Sequence, residues 1–592
     1  MSTNLKVKVY YGRKDGKHDN SFDVIEDLTK NSAIFNGKSR NAGVVVITSY
    51  HSYNQRNGPL RLKSWRMSEK KMTSLMAGAI INDPNTDGEW PGDLAGLFSV
   101  VVLDEAQLVK NMNAMVGTAI DWSAAPFYLL LTATPIYNSV MDFKGFERFI
   151  FPTQDLWDDA SLTAMGLETD INPFELPDGH PGQALMATTK ATSKYIWHES
   201  VPDALKGERL GKIWRQCLIR RTLSSTIPFD SDRNIGGDIP PCQYLVVDCQ
   251  FSPEELAVYK RLAEPNRQKL FIKKDGRIVF NMAKFRMLSL GATWIYFPWV
   301  AGSVKAKHIP LAIDRAKNKE LFKWWASKAI SQERQALEKI RAHVAEKGGR
   351  PEAFPDPPNF DPDADDANEM AILHILRGSP RYRSFLKRVA EQVLILEEKA
   401  LVFCSFPADL VSVFALLRSF NIEAQVLHAK MSPAERESLI KQFTTANDEC
   451  PVLITTFALN SSGLNLQTLC RNLHMLDTPT SESTSAQAIG RLWRLGQQKI
   501  VKVYEYHVPD TFSSRQVLRN AAKAIPGLVA QLDKALYCIN TDDEGNLVME
   551  NWGESAAGDL INWSKGEDPP LGTKLLSPDE VLMRIQRLIK DS

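Results

Sequence analysis

Gln487-Ala-Ile-Gly-Arg-Leu-Trp-Arg-Leu-Gly-Gln497 decides the reading of this chain, because its polar residues recur at helical spacing in an otherwise apolar stretch. Residues three and four apart on a helix are neighbours, so Gln487, Arg491 and Arg494 are expected on one solvent-facing side, two guanidiniums beside an amide. Gly496 falls where a glycine commonly closes a helix. Gly490 costs about 1 kcal/mol against alanine inside a helix, which points to close approach of another backbone or a ligand. Upstream, Pro451-Val-Leu-Ile-Thr-Thr456 reads as a strand ending in hydroxyls, feeding the turn-rich Phe457-Ala-Leu-Asn-Ser-Ser-Gly-Leu-Asn-Leu-Gln467, which carries Gly463. A second apolar segment, Asn472 to Asp477, precedes a Ser/Thr loop, Thr478 to Ser485, that introduces the arginine helix.

Nearer the N-terminus, Ser99-Val-Val-Val-Leu-Asp-Glu-Ala-Gln107 reads as a buried strand with Asp104 and Glu105 at its carboxyl end. Ligands of open α/β sheets bind at that end. Phosphoryl transfer needs one carboxylate for a Mg²⁺ shell and one group to orient or deprotonate the attacking water, roles that suit Asp104 and Glu105 respectively. Phe127-Tyr-Leu-Leu-Leu-Thr-Ala-Thr-Pro-Ile136 is a further buried strand ending in Thr132 and Thr134. Gly43 to Tyr50 has the continuous β-branched composition of a strand buried on both faces of a parallel sheet, and ends in Thr48 and Ser49.

Taken in order, the segment ending at Tyr50, the DEAQ run at 104–107, the Thr132-Ala-Thr134 turn, Ala400-Leu-Val-Phe-Cys-Ser-Phe406, the TTFALNSSGLNLQ run and the QAIGRLWRLGQ run resemble motifs Ib, II, III, IV, V and VI of the SWI/SNF-type branch of superfamily 2 helicases, ATP-driven translocases on double-stranded DNA. The resemblance implies an α/β fold of two RecA-like parallel-sheet lobes, the P-loop NTPase helicase fold, with a helical insertion between them. It implies ATP and Mg²⁺ as cofactors, with Asp104 holding the metal through water and Glu105 activating the nucleophile. Arg491 and Arg494 are then catalytic and reach across a cleft to the triphosphate, with Gln487 and Gly463 also at the nucleotide. Thr132 and Thr134 couple the nucleotide site to lobe movement. Thr48, Ser49, Thr455 and Thr456 end strands where hydroxyls can bind DNA phosphates. Duplex DNA is the implied partner, nucleosomes a further one, and the nucleus the implied location.

The expected organisation is a first lobe over 1–240, helices and an acidic linker over 241–370, a second lobe over 371–527 and an unassigned tail over 528–592. Two departures stand out. Asn460 and Ser461 replace the paired glycines usual in motif V, and no lysine-bearing phosphate loop is found. Asn36-Gly-Lys-Ser39 is read as a turn, since Ser32 stands where such a loop needs glycine and the flanking order of strand and helix is inverted. The first lobe is therefore expected to start partway through, with the strand before that loop lying ahead of residue 5. Omitting it would leave apolar faces and backbone groups uncovered. This sustains a rival reading, a catalytically inactive DNA-binding fragment or scaffold. A third, an RNA helicase, is disfavoured by the GQ ending of motif VI and the long insertion.

At 592 residues the chain exceeds the roughly 250 to 300 residues at which single cores stop growing, so two lobes or more are expected. Basic and acidic side chains nearly balance, 71 against 70, so the total charge shows no bias towards polyanions. A binding surface can still be locally basic. Seven scattered cysteines without a CxxC pair argue against a zinc module and for a reduced compartment. Leu5 to Tyr11 reads as a strand and Ser21 to Ala33 as a helix. Residues 54–96 read as a surface excursion with a helix over Trp65 to Ala79. Residues 260–350 read as helices striped by Trp324, Trp325, Ile330, Leu337 and Ile340. Pro351 to Glu369, rich in proline and aspartate and free of basic residues, reads as a disordered acidic loop. Strands and helices then alternate to the end of motif VI, as in βαβ units.

Overall fold

The computed structural model describes residues 5–10, 23–38, 41–79, 88–112, 114–133, 140–152, 154–221, 223, 225–274, 277–300, 305–317, 320–357, 359–445, 450–459, 464–520, 552–554, 560–562, 568–569, 573–576, 580–581 and 584. It divides into two compact units, residues 1–219 with 523–538, and 220–522 with 539–592.

In the first unit, β1 (Lys6–Val9), β2 (Asp23–Val24) and β3 (Val44–Ile47) form a parallel sheet with β1 in the centre. The helix expected over Ser21 to Ala33 is not formed. Val24 pairs with Val9, and Ile25 N–H donates to the Val9 carbonyl, so ladder bonds to β1 override the local helical spacing. α1 (Tyr50–Asn57) and α2 (Pro59–Ser68) follow, with a further turn of helix over Ser74–Ala79. Rather than a loose excursion, this region packs Leu62 and Trp65 against Trp90 and Trp122. β4 (Val101–Asp104) and β5 (Tyr128–Leu131) pair in parallel.

The strand over Gly43 to Tyr50 was expected to be buried on both faces, and those ending at Asp104 and Leu131 to be buried. The structure instead buries one side, with Leu103, Val101, Tyr128, Leu130 and Val46 turned into or against the unit's core. The opposite side is open: Val45 is 41% exposed, Val102 55% and Leu131 43%, and Val7, Ile47 and Leu129 are similarly uncovered. Parallel strands normally carry layers on both faces. Here the continuous apolar composition meets a covering layer on one side only.

The second unit has a six-stranded all-parallel sheet. β6 (Cys242–Asp248), β7 (Lys399–Cys404), β8 (Ala424–Val426), β9 (Val452–Thr456), β10 (Cys470–Met475) and β11 (Val501–His507) lie in the order β8-β9-β7-β10-β11-β6. Alternation decides its two cores. Ala400, Val402 and Cys404 of β7 enter one hydrophobic cluster, while Leu401 and Phe403 enter the other. The first cluster continues into helices preceding β7: α3 (Pro253–Arg267), α4 (Met282–Thr293) and α5 (Glu320–Glu346). On α5 the stripe is buried at Trp325, Ile330, Leu337 and Ile340, but Trp324 faces outward under Lys328. A hairpin over Phe271–Phe280 interrupts the expected run of helices.

The acidic stretch 351–369 is ordered wherever it is described. Phe354 and Phe360 pack against the core, Arg341 pairs with Asp356 at 3.0 Å and Arg334 donates to Asn359. Cations on α5 supply what the acidic segment lacks. α6 (Pro380–Ala390), α7 (Pro407–Ser419) and α8 (Pro433–Thr444) complete the layers. Serine at the helix start and glutamate three residues on form a capping box, and those at Ser252/Glu255 and Ser432/Glu435 are both closed. α9 (Glu482–Ile489) holds the start of the arginine motif. Among the described residues no helix is long and apolar enough to cross a membrane.

Candidate nucleotide and nucleic-acid site

Asp104 is the last residue of β4, and its exposed carboxylate accepts a hydrogen bond from Glu105 N–H at 3.1 Å. Glu105 lies in the left-handed region, φ 51°. That conformation costs a non-glycine residue on the order of 1–3 kcal/mol and clusters at functional positions. It swings the chain out of the strand into a short 3₁₀ turn, Ala106–Val109, and leaves the Glu105 carboxylate beside the strand's end. Gln107 Nε2 donates to Glu105 Oε2 at 2.6 Å, and Gln107 Oε1 accepts from Thr132 Oγ1 at 2.8 Å. Motifs II and III are thus joined by one amide. Tyr50 Oη donates to the Asp104 carbonyl at 2.7 Å, and burial with the two nearby carboxylates pushes its phenol well up. Gln107 and Tyr50 were visible in the sequence beside the motif residues but carried no role. A glutamine two places after the acid, able to donate and accept at once, was the available signal.

Among the described residues Asp104 makes no ion pair, and the donor to its carboxylate is Glu105 N–H, on one oxygen. A Mg²⁺ ion keeps several waters and takes one or two carboxylates together with substrate phosphates, so this carboxylate fits the metal. The described residues hold no cluster of three or more His, Cys, Asp or Glu that would bind a metal by itself. Gly37 has φ +71°, and Asn36 Oδ1 accepts from Lys38 N–H and Asn41 Nδ2, so this stretch is the closed turn expected of it. Thr48 Oγ1 donates to the Tyr10 carbonyl and Ser49 caps α1 through Ser52 N–H. Their hydroxyls hold the fold and keep only spare acceptor capacity. Thr134 lies outside the described residues.

In the second unit the arginine helix differs from expectation. Ser481 caps α9, whose first residues are part of the supposed Ser/Thr loop, and the helix stops at Ile489. Gly490 is its C-cap, and the amides of Arg491 and Leu492 bond three residues back in tight turns. A Cβ on Gly490 would meet only carbonyls of its own helix at 3.4 Å and beyond. The glycine therefore ends a helix, and no other backbone or element approaches it. Gln487 sits on α9 while Arg491 and Arg494 follow it in the turns, so the three do not share one helical face. Arg491 is 9% exposed, which corrects its assignment to a solvated face. Arg494 is half-buried, with Nη1 3.5 Å from the Leu464 carbonyl. Gly496 has φ +91°, but it lies in the turns seven residues after the helix has ended and does not close it.

Gln497, buried, fixes this segment. Its Nε2 reaches the carbonyls of Gln467, Cys470 and Leu492 at 3.0–3.2 Å, and its Oε1 accepts from the amides of Gln498 and Lys499. Thr455 is 2% exposed and donates to the Leu427 carbonyl, so it has no surface oxygen for a phosphate; Thr456 beside it is also buried. β9 is central, and burial on both faces removes the outward hydroxyls that the sequence suggested. Gly463 lies outside the described residues.

A further polar centre had no motif to mark it. Asp477 Oδ2 accepts Ser405 N–H at 2.7 Å, and Oδ1 accepts Thr293 Oγ1 at 3.0 Å and Arg381 Nη1 at 3.3 Å. Arg381, 1% exposed, also reaches Ser513 Oγ and the Tyr506 carbonyl. Asp409 is fully buried nearby, and burial with the Asp477 charge raises its carboxyl far above the usual range.

Two units with parallel sheets, an acid pair at one strand end and an arginine segment after α9 define a helicase-like α/β protein of two RecA-like lobes. Comparison with known families agrees: the SNF2-related domain matches residues 1–292, and the helicase conserved C-terminal domain matches 387–496. The chain is an SNF2-family, superfamily 2 helicase-like protein. It is 28% identical over 211 residues to a DNA repair protein RAD5 of Cryptococcus neoformans, 32% of this chain and 17% of that protein. It is 34% identical over 120 residues to the RNA polymerase-associated protein RapA of Haemophilus influenzae, 20% of this chain and 13% of that one. The matched stretches span less than a fifth of either relative. The solved C-terminal part of the Fun30 ATPase domain aligns over 60% of this chain and 98% of its own at 14% identity, with a TM-score of 0.27.

Proposed function

We propose that this chain works as the motor region of an ATP-driven translocase on double-stranded DNA. The link Glu105–Gln107–Thr132 carries the reading, because it holds a carboxylate in a strained, fixed position at a strand end and ties it to the next motif. Bound Mg²⁺–ATP would supply the phosphoanhydride to be broken. Asp104 holds the metal's water shell through its exposed carboxylate. Glu105, oriented by Gln107, takes the proton of the attacking water. Arg491 and Arg494 neutralise charge on the transferring phosphoryl group, a contribution of about 10³ to 10⁵ in rate for an arginine finger. Gln487 and Gly463 assist at the nucleotide, and Thr132 and Thr134 pass its state to lobe movement. Duplex DNA is held through its phosphates, with little dependence on sequence. The relatives' names, for DNA repair and for association with RNA polymerase, are in keeping with such a substrate. Nucleosomes as a target and a nuclear location belong to the same reading.

A second reading, a DNA-binding scaffold without turnover, draws on the closed turn at Asn36–Lys38, which offers no phosphate cradle. Phosphate release with and without duplex DNA separates the two. It is measured on the 592-residue chain and on the chain fused to a strand–loop–helix bearing GxxxxGK[ST]. Duplex-stimulated release that Glu105→Gln abolishes, with ATP still bound, supports the motor. Salt-sensitive duplex binding with no release in either form would establish the scaffold instead.

A further inference from the structure

A cavity of about 740 Å³ opens in the second unit between α3, α5 and the turn that follows β11. It lies beyond the carboxyl ends of β6 and β11, where open α/β sheets receive ligands. None of its residues belongs to the site above. Its walls are held in place: Phe512 N–H donates to Tyr259 Oη at 2.9 Å, Thr511 Oγ1 to the Val508 carbonyl, and Arg341 Nε to the Phe354 carbonyl. The turn is further set by Asp510, in the left-handed region at φ 57°.

The lining is divided by chemistry. Tyr259, Ile340, Phe354 and Phe512 give an apolar, largely aromatic floor, and Lys260, Arg261, Arg267, Lys339 and Arg515 stand round the rim. Only two carboxylates, Glu264 and Asp510, accompany these five cations, in a chain whose charges otherwise balance at 71 to 70. Glu264 accepts from Gln268, and among the described residues Lys260, Arg261 and Lys339 have no ion pair or hydrogen bond. Cations of one sign set in low-dielectric walls concentrate positive potential, so the pocket selects an anion. Its volume lies within the 300–1,000 Å³ of ordinary organic-ligand sites, far more than a bare phosphate needs. Cations interleaved with aromatic rings are the pattern that binds phosphate and stacked base together.

We propose that this pocket binds a nucleoside phosphate, its base on the aromatic floor and its phosphates at the Lys260–Lys339–Arg515 rim. Such a unit is presented by a free nucleotide or by an unpaired stretch of a nucleic-acid strand. The test is fluorescence anisotropy on the full chain with labelled dT10, with etheno-AMP, with an abasic decamer of equal charge and with a 20-base-pair duplex. The double variant Lys260→Glu/Lys339→Glu alters two exposed side chains, and its melting temperature checks the fold. The expected result is dT10 binding weakened at least about tenfold in the variant and a salt slope reduced by roughly one to two. Duplex binding and duplex-stimulated phosphate release stay within about twofold, so failure here is separate from failure of the motor reading. Etheno-AMP bound as tightly as dT10 assigns the pocket to free nucleotide, and dT10 bound far more tightly assigns it to a strand. Equal affinity for the abasic decamer, displacement by a decaglutamate as effective as by dT10, or no difference between the variant and the wild type would each overturn the proposal.

Discussion

Glu147 offers a direct test of how the first unit is packed. Its carboxylate is buried and accepts a hydrogen bond from Trp197 Nε1 at 2.6 Å, and burial raises its pKa from the usual 4.5 to about 7. Below pH 4.5 the group is protonated in folded and unfolded chains alike. As pH rises, the unfolded chain ionises first, so the folded state steadily loses the advantage of its neutral carboxyl until pH 7, above which the loss levels off. Two and a half pH units at about 1.4 kcal/mol each amount to about 3 kcal/mol. For a unit of about 200 residues that is a melting shift of roughly 6–12 °C. Glu147→Gln keeps the acceptor for Trp197 and removes the titration. Hydrogen exchange of peptides covering 143–151 and 191–200 reads this unit by itself. Between pH 4.5 and 7.5 the wild type should lose about 3 kcal/mol of protection relative to Glu147→Gln, with most of the change between pH 5 and 7. A difference between the two proteins that does not vary with pH would refute the reasoning.

Gln107→Leu removes the amide joining Glu105 to Thr132; kcat for duplex-stimulated phosphate release should fall about ten- to a hundredfold with KM for ATP little changed, the sign of a misplaced base, and kcat within twofold of wild type would show the link to be incidental. Arg491→Ala and Arg494→Ala should both stop turnover, yet the first should lower the stability of the second unit more, by about 2–3 kcal/mol, because Arg491 is buried and Arg494 is only half-buried with one long contact to the Leu464 carbonyl; equal melting for both would show that burial to be unimportant. Asp477→Asn strips the buried Arg381 of its counter-charge and should cost about 3–5 kcal/mol, read as faster exchange of the Ser405 amide, whose acceptor is Asp477 Oδ2; protection within 1 kcal/mol of wild type would assign the frame to packing alone.

The parts of the fold that were legible in the sequence are those set by local chemistry. The β-branched runs at Val44, Val101 and Val452 form strands, and the serine–glutamate pairs at 252/255 and 432/435 cap helices as written. What was not legible depends on partners distant in sequence. Phe22, Ile25 and Leu28 have helical spacing, but Val9 captures the backbone at Val24 and Ile25. The acidic segment at 351–369 has no cation of its own, and its order comes from Arg334 and Arg341 on α5. Burial misled in both directions: Val45 and Val102 look like interior residues and are open, whereas Arg491 looks like a surface residue and is enclosed. The site followed the same rule. Asp104 and Glu105 could be placed from the strand that ends in them, but Gln107's double bond and Arg381's contact with Asp477, ninety-six positions away, arise only when the strands are side by side.

The second unit's sheet shows why its chemistry is displaced from its strand ends. From β7 the chain runs to β8 and β9 on one side, and from β10 to β11 on the other, so β7 and β10 flank the topological switch point. That crevice is the usual ligand site of an open α/β sheet. Here it is filled from within: Asp477 at the end of β10 ties Ser405 at the end of β7 to Thr293 of α4 and Arg381 of α6, and Asp477, Thr293 and Arg381 are all buried. A crevice closed by an internal ion pair is a frame, fixing the strand ends against the helices that precede them in sequence. On the function proposed above, the unit's functional groups stand on the segments beyond the frame, in the arginine turns after α9, which Gln497 anchors to the carbonyls of Gln467 and Cys470. The first unit is built the other way, with Asp104 exposed at the very end of its strand and only Tyr50 and Gln107 to steady the acid pair. On the function proposed above, carboxylates that meet a metal's water shell need that openness, and guanidiniums that hold one position against a charge need the rigid frame.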